Sequence, residues 1–256
     1  MMASPSPGDL VSRMEAFMRN YMQAHDPSHN PAHVHRVVAL AHRILARERS
    51  LHPEIPYDQT VITLSALLHD INDRKYASSS NGTSASAAGS PGSSPVRTAL
   101  LAHGASPELA DRVDTITAHV SYSTERKVPE VVARLIQQDG YPELAIVQDA
   151  DRLDALGAVG VGRCFTYLGA SAVRKTTKKK DECHGEDARN EHEDMPTLDD
   201  AIAHFGEKLE KLEGVMKTQT GREMARVRTE RLCLFRSWWE EEMNESAGMI
   251  WSVRQT

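Results

Sequence analysis

Apolar residues recur at three- and four-residue steps along most of the chain, which is the spacing of one face of an α-helix. Nowhere does the sequence sustain the strict apolar–polar alternation that is typical of a half-buried strand. The pattern predicts helices over 10–21, 31–45, 58–70, 106–119, 129–138, 142–168, 199–217 and 222–245. We therefore expect an all-α fold.

Residues that favour helix termini support these boundaries. Asp9 is suited to cap the first helix, Pro31 fits the first turn of the second, and Ser106-Pro107 opens another. Aromatic residues at helical spacing usually pack inside a protein, so Phe235, Trp238 and Trp239 are expected to be core residues.

Two segments interrupt the helical pattern. Residues 77–95 are almost wholly Ser, Gly, Ala, Asn, Thr and Pro, a composition that predicts a flexible loop. Residues 174–197 combine a basic run with an acidic one and are expected to form a solvated insertion. A nuclear-targeting or anion-binding role for the basic run stays open. Because helices resume on either side of both segments, we expect a single helical-bundle domain over 9–246.

Composition excludes several classes of function. The 256 residues are 40% hydrophobic, which is enough for a full core. With 30 basic and 36 acidic residues the net charge is -6, so a nucleic-acid partner is disfavoured. Three cysteines without C-x-x-C spacing predict neither a disulfide framework nor a cysteine zinc site. A reducing, cytoplasmic location is expected.

The apolar stretches do not favour a membrane protein. Residues 1–9 lack the apolar core of a secretory signal. The longest largely apolar stretch, 61–68, is far too short to cross a bilayer. We therefore expect no membrane association.

Histidine and aspartate are grouped in a way that predicts a metal site. The pair His69-Asp70 ends an apolar helix, and helices rich in histidine and aspartate lie before and after it. The candidates on those helices are His29, His33, His35, Asp149, Asp151 and Asp154. Imidazoles and carboxylates together suit a borderline divalent cation.

An ordered set of motifs makes the sequence recognisable. The motifs are His33-x-x-Arg36-Val37, Leu67-Leu68-His69-Asp70-Ile71-x-Asp73-Arg74-Lys75, Gln148-Asp149-Ala150-Asp151-Arg152-Leu153-Asp154-Ala155-Leu156-Gly157, His204-Phe205-x-Glu207-Lys208-Leu209 and Thr218-x-Thr220-Gly221-Arg222. Together they resemble the HD-domain superfamily of metal-dependent phosphohydrolases, and in particular its YedJ-like branch, which includes bacterial nucleotide pyrophosphohydrolases. The likeness covers roughly 22–239, less the two insertions.

The resemblance implies that His33, His69, Asp70 and Asp151 hold one divalent metal ion. Manganese is favoured, with magnesium, cobalt, nickel, iron and zinc as alternatives. Asp149 is the alternative to Asp151, since residues two apart on a helix point about 200° apart and only one can face the ion.

One residue departs from the family pattern near the first ligand. Asn30 stands where the family commonly has an aspartate, in Ser28-His29-Asn30-Pro31-Ala32-His33. We expect this change to weaken the support of a histidine ligand.

The resemblance also implies roles around the metal. Asp73 would be the general acid/base, with a helix-terminal carboxylate as the structural alternative. Lys75, His119, His204 and Lys208 would bind substrate phosphates, although His119 is equally suited to be a satisfied core histidine. His204 and Lys208 share one helical stripe.

These roles predict a phosphohydrolase that acts on a small phosphorylated metabolite. A nucleotide is favoured, with cleavage of a triphosphate to monophosphate and pyrophosphate. The alternatives are a nucleoside monophosphate phosphatase, a nucleotide-sensing HD protein without catalysis and, more remotely, a metal-dependent oxygenase. The sequence does not specify the oligomeric state.

Overall fold

The computed structural model of the protein describes residues 6–22, 30–71, 94–182 and 196–253, with side chains except in 174–182 and 246–253. Within these ranges the chain is helical and has no strand, which confirms the all-α prediction. The helices are α1 (Pro7–Tyr21), α2 (Pro31–Leu51), α3 (Gln59–Leu68), α4 (Pro95–Ala102), α5 (Pro107–Ala118), α6 (Tyr122–Glu125), α7 (Pro129–Gln137), α8 (Pro142–Asp154), α9 (Gly157–Glu182), α10 (Leu198–His204) and α11 (Gln219–Val253).

The chain divides into two compact units. The first unit comprises Met1–Asp154 with Met216–Arg222, and the second comprises Ala155–Val215 with Glu223–Thr256. Helices α1 to α8 therefore lie in the first unit, which also holds the first turn of α11. The single-domain boundaries of 9–246 stay a prediction.

Helix α3 forms the centre of the first unit. Every residue of 61–68 is buried, and α3 packs against α1, α2, α5 and α8. A helix that is apolar on all sides is buried in this way. Asp58 begins the helix by accepting hydrogen bonds from the amides of Thr60, at 2.7 Å, and Val61, at 3.1 Å. His69 and Asp70 follow directly at its other end.

Helix α8 packs against α2 and is also buried on nearly all sides, yet it carries many polar residues. Buried polar groups need hydrogen-bond partners, and these partners tie α8 to the rest of the unit. Glu143, for example, accepts from the amide of Asp58 at 3.1 Å and from Arg112 at 2.7 Å. The buried polar residues of α8 are Glu143, Gln148, Asp149, Arg152 and Asp154.

The predicted continuous helix over 142–168 is wrong. Helix α8 ends at Asp154 and α9 begins at Gly157, which has a φ of +69°. That conformation costs little only at glycine, so the small residue that looked like part of the helix marks its break. Helix α9 then continues through the basic run to Glu182. The rest of the predicted charged insertion, up to 195, lies outside the described residues.

Other boundaries differ in detail. Ser6, and not Asp9, caps α1, since its hydroxyl accepts from the amide of Asp9. Ser106 caps α5 as expected. Ser94 and Pro95 begin α4, and the remainder of the serine-rich segment lies outside the described residues. The predicted helix over 199–217 ends at His204 and is followed by a π-helical turn (Phe205–Leu209) and a 3-10 turn (Glu210–Val215).

Aromatic residues form a cluster in the second unit. Phe165 lies with its ring centroid 6.1 Å from that of Phe235 and 6.0 Å from that of Trp239. Phe205 joins this cluster and is fully buried. Trp238, in contrast, is 53% exposed, so its expected core position is wrong.

No single helix in the described part of the chain is long and apolar enough to cross a membrane. The helical segments 142–154 and 157–173 reach that length only when they are taken together across the break between them.

Candidate metal centre

Three helices of the first unit bring the four predicted ligands together. His33 lies in the first turn of α2, His69 and Asp70 follow α3, and Asp151 lies in the last turn of α8. The Nε2 atoms of the two histidines are 3.3 Å apart. His33 Nε2 is 3.5 Å from Asp70 Oδ2 and 3.5 Å from Asp151 Oδ1. His69 Nε2 is 3.3 Å from Asp70 Oδ1 and 3.7 Å from Asp151 Oδ1.

Hydrogen bonds at the far side of each ring fix the tautomer. His33 Nδ1 is 2.7 Å from Asp154 Oδ2, and His69 Nδ1 is 2.9 Å from the carbonyl oxygen of Ala66. A carboxylate and a carbonyl only accept hydrogen bonds, so each Nδ1 must carry a proton. Each neutral ring therefore turns the lone pair of Nε2 toward the other ring and the two aspartates.

In its neutral form, with the proton on Nδ1, each ring offers an Nε2 lone pair to the same point as the two carboxylates. A cation at their centre would satisfy all four. His33, His69 and Asp70 form a group that could hold a metal ion, with one ligand atom from each lying within 4.8 Å of the others. The mixed nitrogen and oxygen set fits a borderline divalent ion.

Burial differs between the two sides of this centre. The side chains of His33 and His69 are only 1% and 2% exposed. Those of Asp70 and Asp151 are 15% and 28% exposed. The centre therefore opens to solvent on its carboxylate side.

Asp149, the alternative to Asp151, is fully buried and is used elsewhere. Its carboxylate accepts from the amide of Lys217 at 2.9 Å, and from the amide and the hydroxyl of Thr218, both at 2.7 Å. These contacts place Asp149 at the beginning of α11 and leave Asp151 as the aspartate that faces the histidines.

Arg152, next to Asp151, forms a separate ion pair. It is 2% exposed and pairs with Glu125, which also accepts from Lys217 Nζ at 2.5 Å. Burial raises the pKa of Glu125, but Lys217 and Arg152 lower it by more, so the net shift is downward. Arg152 is thereby held in a charge-balanced contact of its own.

Asn30 has a different role from the one expected. It is the N-cap of α2, and its side-chain oxygen accepts from the amide of His33 at 3.2 Å. The imidazole of His33 is supported instead by Asp154. Asparagine and aspartate cap helices about equally well. The expectation that Asn30 weakens the support of a histidine ligand stays a prediction.

This cap gives a first prediction. Asn30→Ala should lower the free energy of unfolding by about 1 kcal/mol, the usual cost of losing an N-cap, and Asn30→Asp should be nearly neutral. Urea denaturation of both variants measures the difference. If Asn30→Asp bound metal much more tightly than the original protein, the side chain at position 30 would support a histidine ligand.

Asp154 and Arg36 contribute more than the sequence indicated. Arg36 Nε donates to Asp154 Oδ1 at 2.8 Å, and Nη2 donates to Oδ2 at 2.9 Å. Asp154 is 2% exposed and touches His33 with the second of these oxygens. The available signal was a repeated spacing, because His33 and Arg36, like Asp151 and Asp154, lie three residues apart.

Two of the remaining predicted site residues, Asp73 and Lys75, lie outside the described residues. His119 ends α5, and its Nδ1 donates to the carbonyl oxygen of Thr115 at 2.7 Å. Its Nε2 could then donate to a phosphate only if the ring were protonated. The phosphate-binding role of His119 stays a prediction.

His204 and Lys208 belong to the second unit, where His204 is half-buried and Lys208 is exposed. Burial of the His204 imidazole lowers its pKa, and the charge of Lys208 lowers it further. Both effects favour the neutral ring, which is a weaker partner for phosphate than an imidazolium. Their substrate-binding roles also stay predictions.

The chain is similar to known proteins in sequence and in fold, although no family model matches it. The chain is 28% identical over 218 residues to the uncharacterized protein YpgQ of Bacillus subtilis, which covers 85% of this chain and 86% of that protein. A crystal structure of YpgQ in complex with ADP has a TM-score of 0.63 and 26% identity, covering 93% of this chain and 97% of that one.

A second solved structure has the same fold. It is a protein from Lactobacillus plantarum with a TM-score of 0.62 and 23% identity, and it covers 96% of this chain and 100% of that one. The likeness to YpgQ extends over nearly the whole of both chains. These likenesses support the predicted membership of the HD-domain superfamily.

Proposed function

We propose that the protein is a metal-dependent phosphohydrolase that acts on a small phosphorylated metabolite. One observation carries the proposal: two imidazole nitrogens and two carboxylates converge on one point with their lone pairs inward. Two carboxylates balance the charge of one divalent ion. When bound, such an ion supplies Lewis acidity that polarises a phosphoryl oxygen and favours attack by water.

The residues of this chain hold and orient the reaction centre. His33 and His69 would hold the ion from its buried side. Asp70 and Asp151 leave the exposed side open, and the substrate would approach there. Manganese is our proposed ion, because it accepts both imidazole and carboxylate ligands.

A nucleotide is the proposed substrate. The relative YpgQ has been crystallised with ADP, and the sequence motifs resemble those of nucleotide pyrophosphohydrolases. We propose cleavage of a nucleoside triphosphate to monophosphate and pyrophosphate. The general acid/base role of Asp73, the phosphate contact of Lys75 and the cytoplasmic location remain predictions.

The proposal is tested by a product screen. Protein stripped of metal with a chelator is supplied with Mn²⁺, Mg²⁺, Co²⁺ or Ni²⁺ and incubated with nucleoside mono-, di- and triphosphates. Orthophosphate and pyrophosphate are measured separately. We expect pyrophosphate and monophosphate from triphosphates, and no product from the Asp70→Asn variant.

Other products decide among the alternatives. Orthophosphate from monophosphates would identify a phosphomonoesterase and overturn the pyrophosphohydrolase assignment. Nucleotide binding without any product, with every metal, would overturn the enzyme proposal and support a nucleotide sensor.

A further inference from the structure

His33 is supported by a chain of two charged residues behind it. Asp154 Oδ2 lies 2.7 Å from His33 Nδ1, and the guanidinium of Arg36 donates to both oxygens of Asp154 at 2.8 and 2.9 Å. Such a two-pronged contact fixes the plane of the carboxylate as well as its position. The orientation of Asp154 in turn fixes the orientation of the imidazole.

His69 has a weaker support. Its Nδ1 donates to the backbone carbonyl of Ala66 at 2.9 Å, a neutral acceptor within its own turn. A carboxylate stabilises positive charge on an imidazole more strongly than a carbonyl does, so it makes the opposite nitrogen a stronger electron-pair donor. The two histidines of the centre are therefore unequal ligands.

Burial explains why Asp154 needs Arg36. The carboxylate is 2% exposed, and a buried charge without a partner is strongly destabilised. Arg36 supplies the opposite charge from the first turns of α2, while its own side chain remains 39% exposed. Arg36 thus balances the charge of the Asp154 carboxylate beside His33.

The sequence spacing links this support to the packing of two helices. Helix α2 contributes His33 and Arg36, and α8 contributes Asp151 and Asp154, each pair three residues apart. Residues at that spacing lie on one face of a helix. Each helix therefore offers one candidate ligand and one supporting residue to the same contact.

We propose that Arg36 and Asp154 act as a pair of positioning residues that hold His33 in its Nδ1-protonated form and make it the stronger nitrogen ligand of the metal. This inference rests on the proposed metal-dependent function. Neither residue needs to touch substrate. Their effect is expected in metal affinity and in the proton position on His33.

Mn²⁺ alone is the probe in the first experiment. Metal-free protein is titrated with Mn²⁺ by calorimetry, and Asp154→Asn should bind about 10- to 100-fold more weakly than the original protein, the usual cost of removing such a support. Arg36→Gln should behave similarly. Arg36→Lys keeps the charge but not the fork, and should recover part of the affinity.

A matched control separates positioning from general stability. Arg112 pairs with the fully buried Glu143 at 2.7 Å in the same unit, and neither residue belongs to the metal centre. Arg112→Gln should lower stability while leaving Mn²⁺ affinity unchanged. The proton position on His33 is read independently, from ¹⁵N chemical shifts of the imidazole in the metal-free protein, and should change in Asp154→Asn.

Each outcome has a defined meaning. Unchanged Mn²⁺ affinity in Asp154→Asn, with turnover retained in the original protein, overturns this inference and leaves the proposed function standing. A His33 proton found on Nε2 in the original protein overturns it as well. If the original protein binds neither Mn²⁺ nor another divalent ion, both this inference and the proposed function are overturned.

Discussion

Asp70→Asn and Asp151→Asn should each lower divalent-metal affinity by at least about 100-fold, because loss of even a supporting contact can cost that much. Asparagine matches aspartate in shape but is neutral, so it removes the charge that balances the ion. Hydrolysis should fall with the bound metal. Mn²⁺ titration and product release, measured on the same preparations, test both expectations.

The same substitutions should not destabilise the metal-free protein. The two carboxylates lie within 3.3 to 3.7 Å of histidine nitrogens that also present lone pairs. At alkaline pH, where both imidazoles are neutral, removing one negative charge relieves repulsion there, so the thermal midpoint in chelator should stay constant or rise. A large fall in that midpoint would show instead that the aspartate holds the fold together and would remove it from the proposed ligand set.

The sequence predicted much of the fold because its signals are local. The apolar run 61–68 predicts a buried helix wherever it packs, and Asp58 and Ser106 cap helices through amides two or three residues away. Such interactions depend only on neighbouring residues, so they can be recognised without tertiary information.

The break after α8 could not be recognised in this way. Small apolar residues continue through Ala155 and Leu156, and helical spacing does not change there. The break depends on Gly157 adopting a positive φ, and glycine is compatible with both helix and turn. A second glycine, Gly160, lies close by. A Cβ atom at Gly160 would be only 2.1 Å from the carbonyl oxygen of Ala155.

The candidate site was likewise predictable in part. Motif resemblance predicted His33, His69, Asp70 and Asp151 as ligands, and the structure brings these four together. The support of His33 by Asp154 joins residues 121 positions apart, so the three-residue spacing within each helix does not by itself show that they meet. Motif comparison expected that support from the aspartate that Asn30 replaces, because it considered only the residues next to the histidine.

Asp149→Ala is expected to have the opposite effect from substitution of Asp151: it should destabilise the protein and leave the metal ligands in place. The carboxylate of Asp149 is fully buried and accepts from the amides of Lys217 and Thr218 and from the Thr218 hydroxyl. Alanine leaves these donors without an acceptor. Leaving a buried donor without an acceptor costs about 1–3 kcal/mol for each group.

The packing at Gly221 shows why the protein cannot easily adjust to that loss. A Cβ at Gly221 would lie 2.2 Å from Asp149 Oδ2 and 2.8 Å from Thr218 Oγ1. The beginning of α11 is thus fitted closely around the carboxylate. Gly221→Ala should therefore destabilise the first unit as well, although it removes no hydrogen-bonding group.

Urea denaturation measures the stability of Asp149→Ala, with Asp111→Ala as the control. Asp111 is 58% exposed and pairs with Arg97 at the surface, where an ion pair contributes only about 0–1 kcal/mol. Mn²⁺ titration under conditions where Asp149→Ala remains folded should give an affinity close to that of the original protein. If Asp149→Ala were stable but bound no Mn²⁺, while Asp151→Asn still bound it, Asp149 would be the ligand, because a residue that only caps α11 cannot remove the metal without disturbing the fold.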